Sequence, residues 1–358
     1  MKRRWKVLIG TSAVLLALIA APILITETQC SEPIKGLSTE GYKAKQTDPK
    51  WQRDEARTWL TYPEWHIVYS AESYGRHLVT KHPPSSYPFM RDASGFWRNL
   101  CAMNRASTGR AGTDAKVMLY TIGISFTAEL LVKSAYENTL GRFFEWAGGY
   151  DSADDHYSAR IQQSYGAFMH ETPWYEFPFG KALSGLWRTK EPFYFTRHWE
   201  RRIALGAEYG FKAGYAKLIG RASGASLGQD EKTLRFLVQG NGGTVAVTDR
   251  RFRIAGRAGN GLTIIEAPRY AQFTDLMLKL STTNARLVEI SGNDDVFLTV
   301  MLPPKVTLPK SHKALFETPL DDPRGWRRVG VSTKVPNLLA TIRTVRSKGG
   351  RVEHVYDY

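Results

Sequence analysis

Residues 328–358, RVGVSTKVPNLLATIRTVRSKGGRVEHVYDY, change their period twice. Arg328 to Val331 reads as a short strand. Leu339, Ile342 and Val345 then recur at three-residue steps, which places them on one side of a helix from Pro336 to Lys348. Gly349-Gly350 ends that helix, and from Arg351 to Tyr358 the residues Val352, His354, Tyr356 and Tyr358 alternate onto one face of a final strand. The same succession lies upstream: strand Leu262 to Ile265, helix Tyr270 to Leu280, strand Arg286 to Ile290. The turn Gly292-Asn293-Asp294 joins the last of these to a strand from Val296 to Leu302. Three shorter strand-like runs come before: Leu234 to Val238, Thr244 to Val247 and Phe252 to Ile254. Residues 303–325 carry Pro303, Pro304 and Pro309 and read as a long loop kept out of any sheet.

Strand-helix-strand, hairpin, strand-helix-strand predicts an α+β domain over residues 232–358, in a split βαβ arrangement similar to the ferredoxin-like class. That resemblance concerns architecture and carries no activity. The stretch ASGASLGQD at 222–230 separates it from a differently patterned region.

Residues 48–223 read as an all-α, aromatic-rich bundle. Asp48 before Pro49 is a helix start, and Thr61 with Glu64 matches a capping box ahead of Ile67, Ala71, Tyr74 and Leu78. Further helices are expected at about 87–105, from Asp114 through 117–132, at 154–170 and at 196–222. The run 117–132 is apolar except for Glu129, which suits the buried middle helix of a bundle and also approaches the length of a membrane span. Gly206, Gly210 and Gly214 share one stripe of the last helix and predict a close neighbour there.

Lys2, Arg3, Arg4 and Lys6 precede an uncharged, largely apolar run at residues 7–25. That length fits a transmembrane helix, and the positive charges ahead of it place the rest of the chain beyond the inner membrane, in the periplasm or cell exterior. The run exceeds the core of an ordinary signal peptide and lacks an A-x-A site, so residues 1–26 read as a membrane anchor or uncleaved signal, followed by a polar linker at 27–47. Export to an oxidising compartment allows the only two cysteines, Cys30 and Cys101, to form a disulfide, although a buried thiol at Cys101 would suit a helix core equally.

The formal charge of +15 is spread along the chain without a basic block, which argues against nucleic acid as a partner. No Walker loop, GxGxxG, GxSxG or HExxH motif occurs, and His156, His170 and His198 lack the i, i+3 or i, i+4 spacing of a metal site, so no cofactor and no metal are expected. Two groups of side chains remain. Glu129, a carboxylate inside an apolar helix, must find a cation or stay neutral. With His66 of the PEWH segment it forms the candidate pair for acid–base catalysis, an arginine partner being the structural alternative. Trp174, Trp187 and Lys190, in an aromatic and basic segment, are the candidates for membrane-surface binding. The expected protein is therefore a membrane-anchored accessory or binding protein of the cell envelope, acting on lipid, envelope polymer or a protein partner. The alternative is a periplasmic hydrolase or lyase with its site in the bundle.

Overall fold

A computed structural model describes residues 20–34, 37, 42–108, 111–223, 233–240, 242–309, 312–320 and 324–357. Residues 7–19 of the expected span and the expected junction at 224–231 lie outside them. The chain has a helical N-terminal part followed by a mixed domain with two antiparallel four-stranded sheets. Its compact units interleave in sequence: the first is Met1–Glu64, Phe96–Ile124 and Lys232–Tyr358, the second Trp65–Gly95 and Ser125–Glu231.

The first unit contains β1 (Thr233–Gln239), β2 (Arg253–Ala258), β3 (Leu262–Pro268) and β4 (Leu287–Ile290), in the order β2-β3-β1-β4. It also contains β5 (Asp295–Leu302), β6 (Lys313–Pro319), β7 (Arg327–Lys334) and β8 (Arg351–Tyr356), in the order β6-β7-β5-β8. Each sheet is made by three strands, a helix and a fourth strand, and the two orders are the same when counted from β1 and from β5. A split βαβ unit is thus present twice, with β1 or β5 between its two strands. Two sheets with one helix each replace the single ferredoxin-like sheet with two. The proline-bearing loop was also expected to stay out of a sheet, yet Lys313–Pro319 pairs with β7 beyond Pro309. The strand expected at Thr244–Val247 is instead a helical turn, Gly243–Ala246, with Val247 left 84% exposed.

Alternation puts Leu234, Phe236 and Val238 of β1, and Val296, Leu298, Val300 and Leu302 of β5, into one continuous core. Two helices complete it. In the helix Tyr270–Leu280 the buried residues are Phe273, Thr274, Leu276, Met277 and Leu280; in Leu338–Ser347 they are Leu338, Leu339, Thr341, Ile342 and Val345, each 65 positions later. The two halves clasp each other reciprocally. Tyr270 N donates to Asp357 Oδ2 at 3.1 Å, with Arg269 3.5 Å from the same carboxylate. At the matching positions of the second half, Val335 N donates to Asp294 O at 2.6 Å, and Lys334 pairs with Asp294 at 3.1 Å and Asp295 at 3.0 Å. Common topology, a common burial register and matching clasps mark an internal structural repeat.

Within the same unit, residues 20–29 are helical, and Cys30 is joined to Cys101 in a disulfide. Asn104 Nδ2 donates to Cys30 O at 3.0 Å, and Glu27 pairs with Lys116 at 3.2 Å. Thr61 does not cap a helix N-terminus; its hydroxyl donates back to Arg57 O at 2.7 Å, because the chain is already helical on both sides of it.

The helices used below are α1 (Tyr62–Val79), α2 (Phe89–Ala106), α3 (Thr113–Gly148), α4 (Ala153–Phe168), α5 (Phe179–Leu186) and α6 (Phe195–Ser223). The second unit has its own apolar cluster, in which Tyr165, Phe177, Phe179, Leu186, Leu205 and Tyr209 come from α4, α5, α6 and the segment before α5. Close helix contact falls where α1 crosses α4. A Cβ on Gly75 would lie 3.0 Å from Gln163 N, and one on Gly166 would lie 3.0 Å from Glu72 Cγ. Of the stripe expected to mediate such contact, Gly206 meets Trp187, a Cβ there lying 3.7 Å from its Nε1, while nothing lies within 4 Å of a Cβ on Gly210 or Gly214.

Candidate functional site

Helix α6 carries two stripes of opposite character. Arg197, Glu200, Arg201 and Lys212 are buried, while Phe195, Trp199, Ile203, Phe211, Tyr215 and Leu218 are exposed, Phe195 and Phe211 to more than 70%. Both stripes follow the three- and four-residue steps that define a helix face. Helix α3 shows the same inversion. Glu137 is buried, whereas Leu131, Val132, Leu140, Phe143 and Trp146 face outward, Trp146 at 82%. α3 is long and apolar enough to cross a membrane, and only 22% of its most apolar 18-residue window is buried. The buried middle helix expected at 117–132 is therefore an exposed one.

The inward faces of α3 and α6 meet through an ion ladder. At one end, Lys212 Nζ lies 2.8 Å from Glu129 and 2.9 Å from Glu208, and Lys133 Nζ lies 2.8 Å from Glu208 and 3.3 Å from Glu129. Further along, Arg201 forms a two-pronged pair with Glu137 at 2.9 and 3.1 Å, and its Nε donates to Glu200 at 2.8 Å. Arg197 reaches Asp155 of α4 with two donors at 3.1 and 2.8 Å, and Glu200 with a third at 3.0 Å. Partner numbers rise along α3 as they fall along α6, so the two helices run antiparallel. Forked guanidinium–carboxylate geometry supplies both charge and direction at these rungs.

A π-helical turn at Glu137–Gly141 interrupts α3, and Glu137, its first residue, pairs with Arg201. The Glu137 carboxylate lies against Gly141, where a Cβ would collide with it. Beside the ladder, fully buried Asp154 accepts from the Thr189 hydroxyl and is bonded to His198 Nδ1.

Burial by itself would raise the Asp155 and Glu208 carboxyls and lower the Arg201 guanidinium. The neighbouring charges win in each case. Arg197 and Arg201 hold Asp155 below its ordinary value, Lys133 and Lys212 do the same to Glu208, and Glu137 with Glu200 raises Arg201. These groups stay charged through the neutral range, so the ladder holds charges in place and is poorly suited to exchanging protons. A cavity of about 20 Å³ lined by Tyr150, Asp151, Asp155, His156, Ser158 and Arg201 has room for a single water.

The acid–base candidates occupy separate settings. Glu129 is held by two lysines in place of the expected arginine, and its side chain is 40% exposed. His66 Nε2 is 2.9 Å from Asp92 O, and its ring meets Phe126 edge-on. Of the membrane-surface candidates, Trp187 is half exposed with the Arg202 guanidinium 5.5 Å over its ring, and Lys190 is exposed. Trp174 is half-buried, stacked on Tyr215 at 5.6 Å. Phe193, Phe195 and Trp199 lie in the aromatic segment but were not singled out, and Trp146, Ile203 and Phe211 were passed over; the four-residue spacing of Phe195, Trp199 and Ile203 was the signal that could have found that stripe. Among the described residues, the one carboxylate group compact enough for a metal is Glu55, Asp294 and Asp295, and Lys334 already neutralises its two aspartates.

No family model matches the chain, and neither a curated protein nor a solved structure matches it.

Proposed function

We propose that this chain is a membrane-anchored protein of the cell envelope whose helical unit rests on the lipid surface through the outer faces of α3 and α6. One observation carries the reading: both helices bury charged side chains, Glu137 on α3 and Arg197, Glu200, Arg201 and Lys212 on α6, and expose large apolar ones. In a helix facing water that arrangement leaves a wide apolar surface wet and uses the charged side chains inside. Against lipid the same arrangement is favourable, because the apolar stripe is buried and the buried charges already have partners.

The pair is read as lying in the interface rather than crossing it. α3 is bound to α6 rung by rung, and α6 also carries Arg202 and Lys217. A crossing would have to take both helices through together. Trp146, Trp187 and Trp199, with Arg188 and Lys190 nearby in sequence, suit the headgroup layer. The span at residues 7–25 keeps the unit beside that membrane, with the bulk of the chain on its outer side. The role is then non-catalytic: holding an envelope partner or lipid at the surface.

Tryptophan quenching by brominated lipid tests the seat. The full chain in anionic vesicles should lose part of its quenching when Trp146 and Trp199 are both replaced by Phe. Equal quenching in wild type and variant would remove this face from lipid. Topology has its own test: alkaline phosphatase fused after Tyr358 should be active, and a silent fusion on an abundant protein would place the chain on the other side.

A further inference from the structure

The internal repeat allows one half of the domain to be compared with the other. In the second half, Arg343 donates from Nη1 to Ser281 O at 3.0 Å, reaching the C-terminal end of the first half's helix. The residues that stand 65 positions on from Leu278 and Ser281 are Arg343 and Arg346, so the mirror of this contact would run from residue 278 to residue 346. Leu278 has no donor and is too short to make it. Arg343 is itself exposed, and beside Leu278 the matching hydrogen bond is absent. A cavity of about 590 Å³ lies there, lined by Leu278, Lys279, Thr282, Arg346, Arg351 and Thr248, with Gly350 and Val352 beside them.

The lining is cationic where the matching lining is less so. Lys279, Arg346 and Arg351 take the places that Thr344, Ser281 and Arg286 hold in the other half. Lys279 is already engaged, 2.9 Å from Asp249 and 3.2 Å from Asp275, and both carboxylates are shared with Arg251. Arg346 is exposed, and no acidic partner holds it among the described residues. Arg351 is also exposed, its guanidinium 5.4 Å over the Trp326 ring, which fixes its position without neutralising it. Leu278 O accepts from the Ser281 hydroxyl and Lys279 O from the Thr282 hydroxyl, so these terminal carbonyls are occupied. Two uncompensated guanidinium groups on a cavity of small-molecule size match the forked recognition of phosphate oxygens.

We infer that this cavity is a binding site for a phosphoryl group carried by a small molecule, with Arg346 and Arg351 as the groups that hold it. Leu278, whose repeat counterpart is Arg343, lines the site.

Calorimetric titration of the full chain in neutral detergent at low salt, with glycerol 3-phosphate as probe and sulfate as control, tests the inference. Wild type should bind the ester and prefer it to sulfate. Leu278→Arg, which supplies the side chain the other half already accommodates, should weaken binding at least about tenfold while the melting curve stays in place. Arg346→Ala should weaken it about as much, and Leu278→Ala, which leaves the cavity open, should retain it. Displacement of the ester by phosphatidylglycerol micelles would identify a lipid headgroup as the natural source, and failure to displace it a soluble ester; both agree with the site. Absence of binding to wild type, equal affinity for sulfate, or a folded Leu278→Arg protein that binds as wild type does would each overturn it.

Discussion

Glu208 and Glu129 sit on the same two lysines, yet they differ in what their loss would expose. Glu208 is 23% exposed and touches both cations at under 3 Å, whereas Glu129 is 40% exposed and touches one of them that closely. Removing one partner from a buried ion group leaves the other charge uncompensated, at a cost of up to about 3 kcal/mol. Glu208→Gln should therefore lower the melting temperature more than Glu129→Gln, and denaturant melts of the two variants would show the order. A Glu129→Gln protein of normal stability and abundance that fails to complement a deletion would instead favour the acid–base alternative.

Glu64 makes a pH-dependent prediction. Burial raises its carboxyl to about 7, with Arg57 and Arg269 opposing that rise only in part. A raised folded value means no cost below about pH 4.5, where the group is protonated in both states, and a growing cost as pH rises through 7. The ceiling is about 3 kcal/mol, since a tenfold difference in proton affinity between the folded and unfolded chain corresponds to about 1.4 kcal/mol. Glu64→Gln should leave stability unchanged at pH 4.5 and raise it at pH 8, measured by thermal unfolding at both. The PEWH segment drew attention to this residue, but its burial was not legible, because a capping role for Glu64 would have put it in solvent.

At the scale of elements, the glycines separate pattern from packing. Gly210→Ala and Gly214→Ala meet open space in helix α6, so each should stabilise by up to about 1 kcal/mol through backbone entropy and helix propensity. Gly75→Ala and Gly166→Ala force a methyl group against the neighbouring helix at about 3.0 Å and should destabilise by about 1–3 kcal/mol. Thermal melts of the four single variants check both signs. Sequence periodicity found the α6 stripe and misread what lies against it, because spacing says which residues share a face and nothing about what covers that face. The same holds for α3 and α6 as a whole. Their charged and apolar stripes are both readable as helical repeats, and the bundle expectation assumed that the apolar one was inside.

For the whole molecule, the Cys30–Cys101 bond closes a sequence separation of 71 residues, which the chain-entropy account values at about 4 kcal/mol. Reduction, or Cys101→Ser, should lower the melting temperature without altering the secondary-structure content seen by circular dichroism; an unchanged melting temperature would mean that the loop is already constrained without it. The sequence by itself determined the order of elements from 262 to 302 and from 328 to 358, because a change from period two to period three or four is a local property of neighbouring residues. It also determined the placement of a helical part before a mixed one and the candidates Trp187 and Lys190 at the surface. Tertiary structure alone decided that two sheets form instead of one, since strand pairing depends on residues far apart in the chain and β6 carries too weak a signal among its prolines. It alone decided that Leu278, matched across the repeat by Arg343, lines a cavity with Arg346 and Arg351. And it alone decided which stripe of α3 and α6 turns inward, because that choice rests on the partner each charge finds: Glu137, at the start of a π turn and against Gly141, meets Arg201.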